Sequence, residues 1–306
     1  MKRGKTSVFY VILGLFATGC CCSFPDLTTL LVPDEPEPSD DTAGVDLGLA
    51  AYPPTAPEAD ATKYAWRDRR LDPPVYRARY ALGSSEQAAV DEAHRALAKR
   101  VKFKDQGGGT FKWTPPPGCD VRMQCIFESL AEDSKDEINP LAARFRARVR
   151  DAKLDPVQTV ELVMSYVQAI PYEIPKERPF GLLPPALVAA QKKGDCDSKA
   201  LLLLMLLDSL GIDGVMLTSD AHRHSMLGVA IPAQGQKITY DGRTYAFVET
   251  TAKNAPIGWI SKQLLSPNDW VVVPVRIGSK GASKTNSVVT GKATEEVTGP
   301  KPRKMR

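Results

Sequence analysis

Gly194-Asp195-Cys196-Asp197-Ser198-Lys199-Ala200 runs without a break into Leu201-Leu202-Leu203-Leu204-Met205-Leu206-Leu207. The second half is apolar on every side, which a helix in a globular protein tolerates only when it is buried all round. The first half reads as a helix start. Asp195 and Asp197 put carboxylates where the helix dipole is positive, and Cys196 lies where backbone N–H groups converge, a setting that favours a thiolate. The same carboxylates work against a neighbouring thiolate. Gly211 closes the helix as its C-terminal stop. The stretch therefore reads either as a nucleophile at the mouth of a buried helix or as plain packing with an inert thiol.

Working outward, the period changes after Gly211 from helical to strand-like. Residues 214–218, 224–231, 237–240, 244–250 and 270–277 are short runs rich in Val, Ile and Tyr, separated by Gly, Pro and Asp-Gly signals. Asp241-Gly242 is a hairpin turn. Upstream the signals are helical. Asp155-Pro156-Val157-Gln158 combines an N-cap Asp, a proline at the first helical position and a Gln at the third, and predicts a helix to residue 169. Further helices are expected over 88–101, from about 124, over 141–152 after Asn139-Pro140, and over 186–191, with a short strand at 110–113. The arginines at 144, 146, 148 and 150 read as a solvated face of the 141–152 helix. Helices followed by an antiparallel sheet make an α+β fold.

The chain has 306 residues and a net charge of +4. From Gly278 onward seven Lys or Arg stand against two Glu, so the basicity belongs to a tail, 278–306, expected to be disordered. What precedes it is near neutral, which argues against nucleic acid as a partner. Residues 23–61 are rich in Pro, Asp and Glu and hold no Lys or Arg, a composition that reads as an extended spacer. The start of the chain reads as an export signal: Lys2, Arg3 and Lys5, then a short apolar run over 7–17. Ala17-Thr18-Gly19-Cys20 resembles a bacterial lipobox, which implies lipidation at Cys20 and anchoring to a bacterial envelope, in the outer membrane by the usual sorting pattern. The expected organisation is a signal over 1–19, a linker over 20–62, a helical region over 63–138, a principal domain over 139–277, and the tail.

Cysteine use sharpens the reading of Cys196. Cys20, Cys21 and Cys22 belong to the processing site, and Cys119 and Cys125 are close enough in sequence to form a disulfide in an oxidising compartment. That leaves Cys196 outside both groups of cysteines. Downstream, His224 begins a strand and Glu249 lies near the end of a later one. A thiolate, an imidazole to shuttle its proton and a carboxylate to orient that imidazole are the parts of nucleophilic acyl transfer. Blander readings compete: Glu249 as a surface carboxylate, His222 and His224 as a metal pair on one strand face, and Gln168 as a capping or packing residue. His94, on an amphipathic helix, needs no function.

The order of these residues resembles the transglutaminase-like superfamily, in particular its bacterial cysteine-protease-like members. The resemblance rests on Tyr166-Val167-Gln168-Ala169-Ile170-Pro171-Tyr172, on 194–200 with 206–212, on His224-Ser225-Met226-Leu227-Gly228-Val229, and on Tyr245-Ala246-Phe247-Val248-Glu249-Thr250-Thr251. It covers 139–258 and implies a papain-like α+β core, with Cys196 as nucleophile, His224 as general base and acid, and Glu249 where most members carry Asp. Gln168 resembles a family position with a candidate oxyanion role. The expected activity is thiol-dependent acyl transfer on amide bonds of a peptide or protein, as a peptidase or amidase or, with an amine acceptor, a transglutaminase. No cofactor or metal is implied. The alternative is a non-catalytic envelope lipoprotein that uses the fold to bind peptide or glycan.

Overall fold

A computed structural model describes residues 37–278, apart from 40, 108, 109, 118, 120, 122, 265, 267 and 268. The signal segment, Cys20 and the tail beyond residue 278 lie outside the described residues. Strands are β1 (Val45–Tyr52), β2 (Thr62–Arg67), β3 (Val75–Leu82), β4 (Lys104–Gly107), β5 (Thr110–Lys112), β6 (Gly214–Ser219), β7 (His224–Val229), β8 (Lys237–Tyr240), β9 (Arg243–Val248) and β10 (Val271–Val273). Helices are α1 (Ser84–Arg100), α2 (Gln124–Glu132), α3 (Lys135–Ala152), α4 (Pro156–Gln168), α5 (Pro185–Gln191) and α6 (Cys196–Ser209). The fold is mixed α+β with an antiparallel sheet.

α6 is the axis. Every residue from Cys196 to Leu207 is buried, and the helix touches α2, α3, α4 and α5 on one side and β6 and β7 on the other. The sheet below it has the order β10-β6-β7-β9-β8, antiparallel throughout. Its period of two divides the strands cleanly. Met216, Leu227, Val229, Ala246, Val248 and Val273 join the main core around α6, while Val215, Leu217, Met226, Tyr245, Phe247 and Val272 join a second cluster closed by Trp270 and Leu264.

Four expectations are corrected. The linker expected over 20–62 contains β1, and β2 begins at its end. β1 pairs parallel to β3, with Leu47 and Ala50 buried, so this acid-rich stretch is tied down by strand pairing despite its composition. The region expected to be helical over 63–138 carries a three-stranded sheet, order β1-β3-β2, and the hairpin β4-β5. The main core runs from Leu47 to Val275 and crosses the boundary expected at 138/139. Finally, α3 starts at Lys135 and holds Pro140 inside it. The missing N–H of Pro140 deprives only the Asp136 carbonyl of its helical donor, and burial of Ile138, Leu141, Ala142 and Phe145 outweighs that loss.

The first sheet is docked on the helices by aromatic residues. Trp66 Nε1 donates to Ser165 Oγ at 3.0 Å, and Tyr166 packs against both Tyr64 and Trp66. Tyr64 donates its hydroxyl to the Ala189 carbonyl at 2.5 Å. The α3 arginines are partly employed: Arg148 lies over the Tyr76 ring at 5.6 Å and Arg146 reaches the Ser209 carbonyl at 3.3 Å.

Candidate functional site

The N-terminus of α6 is built by its own sequence. Asp195 is the N-cap, in extended conformation, and its carboxylate accepts from the Ser198 N–H at 3.0 Å. Gly194 is laced to the segment after α4: its N–H donates to the Pro171 carbonyl at 3.3 Å, and its carbonyl accepts from the Glu173 N–H at 3.0 Å. Tyr172, 41 % exposed, bridges to Gly194 beside this helix start. Ser198 Oγ accepts from the Leu183 N–H at 2.8 Å. Cys196 follows the cap as the first residue of the helix, fully buried and not in a disulfide.

The first residue of β7 and the residue just past β9 are the other candidates. His224 Nε2 and Glu249 Oε2 are 2.8 Å apart and both residues are buried. Burial pushes the Glu249 carboxyl up, but the charge and hydrogen bond of His224 outweigh it. Together with the Thr251 hydroxyl and N–H, each 2.6 Å from Oε1, they hold the carboxyl down at about 2. Glu249 is therefore an ionised carboxylate with one oxygen fixed by Thr251 and the other by the imidazole. Asp197 joins the helix to the strand. Its Oδ1 accepts from Ser225 Oγ at 2.6 Å, and its Oδ2 lies 3.9 Å from the Cys196 sulfur.

Lys199, one turn into α6, is fully buried and donates to the Ile170 carbonyl at 2.6 Å. Burial drives its ammonium down to about 7, with Lys253 acting in the same direction, while Glu249, Cys196 and Asp195 oppose the shift. Nothing in the sequence flags this lysine, because a Lys in the first turn of a helix ordinarily reaches solvent.

Other candidates fall outside the pairing. His222 sits in the turn before β7, so it shares no strand face with His224; it lies 3.2 Å from Asp269 and beside the Trp270 ring. Gln168 does not offer its amide as an oxyanion donor: Nε2 is engaged by the carbonyls of Glu249, at 2.8 Å, and Ala255, at 3.0 Å. His94 is buried against Phe180, and burial drives its imidazole down to about 4. Cys119 and Cys125 lie at disulfide distance, with Cα atoms 5.4 Å apart. Ligand atoms of Asp195, Cys196 and Asp197 lie within 4.8 Å of one another, the one such cluster among the described residues. Its carboxylates already serve the Ser198 N–H and the Ser225 hydroxyl.

Among the described residues no helix is long and apolar enough to cross a membrane. Comparison with family models, with curated proteins and with solved structures finds no match to this chain.

Proposed function

We propose that this protein performs thiol-dependent acyl transfer on amide bonds, with hydrolysis as the favoured outcome, through Cys196, His224 and Glu249 in a transglutaminase-like, papain-type core. The observation that carries the reading is the buried His224–Glu249 pair at 2.8 Å, at the start of β7 and one residue past β9, with β7 packed on a helix whose first residue is a cysteine outside any disulfide. In this reaction the Cys196 sulfur attacks the carbonyl carbon of the substrate amide after His224 has taken its proton. The backbone N–H of Cys196, at the positive end of α6, stabilises the oxyanion. His224 then returns the proton to the leaving amine as the C–N bond breaks, and water, deprotonated by the same imidazole, releases the acid and frees the thiol. Glu249 stays ionised and holds the ring. Peptide or protein is the substrate class, and the lipobox-like Cys20 places the protein on a bacterial envelope through a lipid anchor.

One observation favours the second reading, a binding module built on the same fold: Cys196 has no exposed surface, so substrate reaches it only after its neighbours move. Alkylation of Cys196 by iodoacetamide across pH separates the two. Reaction that stays fast in mild acid and vanishes in Cys196→Ala supports catalysis; a thiol that stays inert at every pH in the folded protein supports binding.

A further inference from the structure

The loop that follows Glu249 is held at two points by one side chain. Gln168 Nε2 donates to the Glu249 carbonyl at 2.8 Å and to the Ala255 carbonyl at 3.0 Å, using both amide hydrogens. The Ala255 carbonyl also accepts from Arg70 Nη1 at 2.8 Å. Arg70 comes from the β2–β3 connection of the first sheet and is itself fixed by Asp68, a buried carboxylate that accepts from its Nε at 2.8 Å and from its backbone N–H at 2.9 Å. Bonds therefore run without interruption from Asp68 through Arg70, Ala255 and Gln168 to Glu249, and from there to His224.

Packing alone does not account for Gln168. It is 2 % exposed, and its Oε1 is buried without a hydrogen-bond partner. An unsatisfied buried acceptor is costly, and an apolar side chain of the same shape would avoid it. The amide is explained by what its two hydrogens hold. Glu249 stands one residue past the end of β9, where the strand ladder no longer fixes the backbone, and a small displacement there moves the carboxylate away from the imidazole.

We propose that Gln168, braced by Arg70, is a positioning residue that keeps the Glu249 carboxylate in register with His224, and that the first sheet thereby belongs to the catalytic unit. This rests on the reading of Cys196, His224 and Glu249 as a working triad. The test is a double-mutant cycle on the full-length chain, read as the rate of iodoacetamide alkylation of the Cys196-bearing peptide at one mildly acidic pH. Gln168→Met keeps length and removes both donors; it is expected to slow alkylation about tenfold. Glu249→Gln is expected to slow it at least as much, and the double variant no further than Glu249→Gln alone, because the amide acts through the carboxylate. Slowing that adds across the two sites, or an unchanged rate in Gln168→Met beside a slowed Glu249→Gln, overturns the positioning role and leaves the triad standing. An unchanged rate in Glu249→Gln overturns the triad reading and the proposal with it. If Gln168→Met does not fold, Arg70→Lys keeps the charge opposite Asp68 while losing the reach to Ala255, and is read in the same cycle against the same outcomes.

Discussion

Ser225 Oγ donates to Asp197 Oδ1 at 2.6 Å, and that one bond joins the residue after Cys196 to the residue after His224. Both partners are buried, and a hydroxyl donating to a carboxylate in a poorly solvated setting is stronger than a neutral pair. The first turn of α6 and the first residues of β7 are thus fixed to each other by chemistry as well as by packing. The alternation of β7 explains why Ser225 has this task. Ser225, Leu227 and Val229 face α6, while Met226 faces the side closed by Trp270; the His224 ring, at the first position of the strand, meets Trp270 edge-on at 6.2 Å.

Ser225→Ala is therefore expected to destabilise the protein by about 1–3 kcal/mol, because it strips a donor from a buried carboxylate and leaves the rest of the strand in place. Urea denaturation measures this as a lower midpoint at unchanged slope. An unchanged midpoint would show that Asp197 finds another donor and that the helix–strand tie is a matter of packing.

Glu249 makes a pH prediction with a definite sign. Its carboxyl is held at about 2 in the folded protein against an ordinary value of 4.5, so the unfolded chain takes up the proton first as pH falls. The stabilisation is complete above about pH 4.5 and is lost as pH drops through about 2. Glu249→Gln should flatten this part of the stability profile. The measurement is the denaturation midpoint at a series of pH values below 5; parallel profiles for the two proteins would mean that the carboxylate gains nothing from His224 and Thr251.

Much of this arrangement was legible in the residues, and the reasons differ by element. α6 announces itself because an all-round apolar helix must be central, and Asp195 and Gly211 mark its ends. α4 carries a complete capping box, with the Asp155 carboxylate accepting from Gln158 N–H and the Gln158 side chain returning the bond. β8 and β9 are set by Asp241-Gly242, both at positive φ in the turn between them. β1 was hidden because it lies inside an acid-rich segment, although the strand itself carries one carboxylate, Asp46: Leu47 and Ala50 are its buried positions, and its stability comes from pairing with β3 and packing on α3. At the site, the residue types and their order could be read, but Asp197–Ser225 and Gln168–Ala255 span 28 and 87 positions, and no local pattern encodes such bonds.

Lys199 predicts a slope in the alkaline range. Burial lowers its ammonium to about 7 from 10.5, so between those values the unfolded chain holds the proton that the folded chain has lost. Where the unfolded state binds more protons, stability rises with pH. The wild-type protein should gain stability from about pH 7 towards pH 10, and Lys199→Met should remove that gain. Denaturation midpoints at pH 7.5 and 9.5 decide it. The same gain persisting in Lys199→Met would assign the slope to another group.

Cys20→Ser tests the envelope anchor separately from the chemistry. A lipidated N-terminal cysteine partitions with membranes, whereas the serine variant lacks the thiol that would carry the lipid. Fractionation of cells expressing each form should move the variant from the membrane pellet to the soluble fraction. Retention in the pellet would remove Cys20 as the anchor without touching the reading of Cys196.

The sharpest prediction concerns Cys196 and what takes the acyl group from it. An exposed thiol, with a pKa near 8.5, is almost wholly protonated at pH 6 and reacts slowly. A thiol at the N-terminus of α6 that can share its proton with His224 should be alkylated at pH 6 at least tenfold faster than a cysteine in a denatured control. Cys196→Ala should abolish both the labelling and any turnover of peptide substrates. The acyl-enzyme then partitions between water and amine. Asp195 and Asp197 beside Cys196 are engaged by the Ser198 N–H and the Ser225 hydroxyl, and nothing in the sequence marks an amine site, so release of free acid should dominate even in the presence of a primary amine. Mass spectrometry of the products reads the ratio directly. Predominant amide exchange would keep Cys196, His224 and Glu249 in their roles and reverse the choice of acceptor, whereas a thiol no faster than the denatured control would remove the enzyme reading altogether.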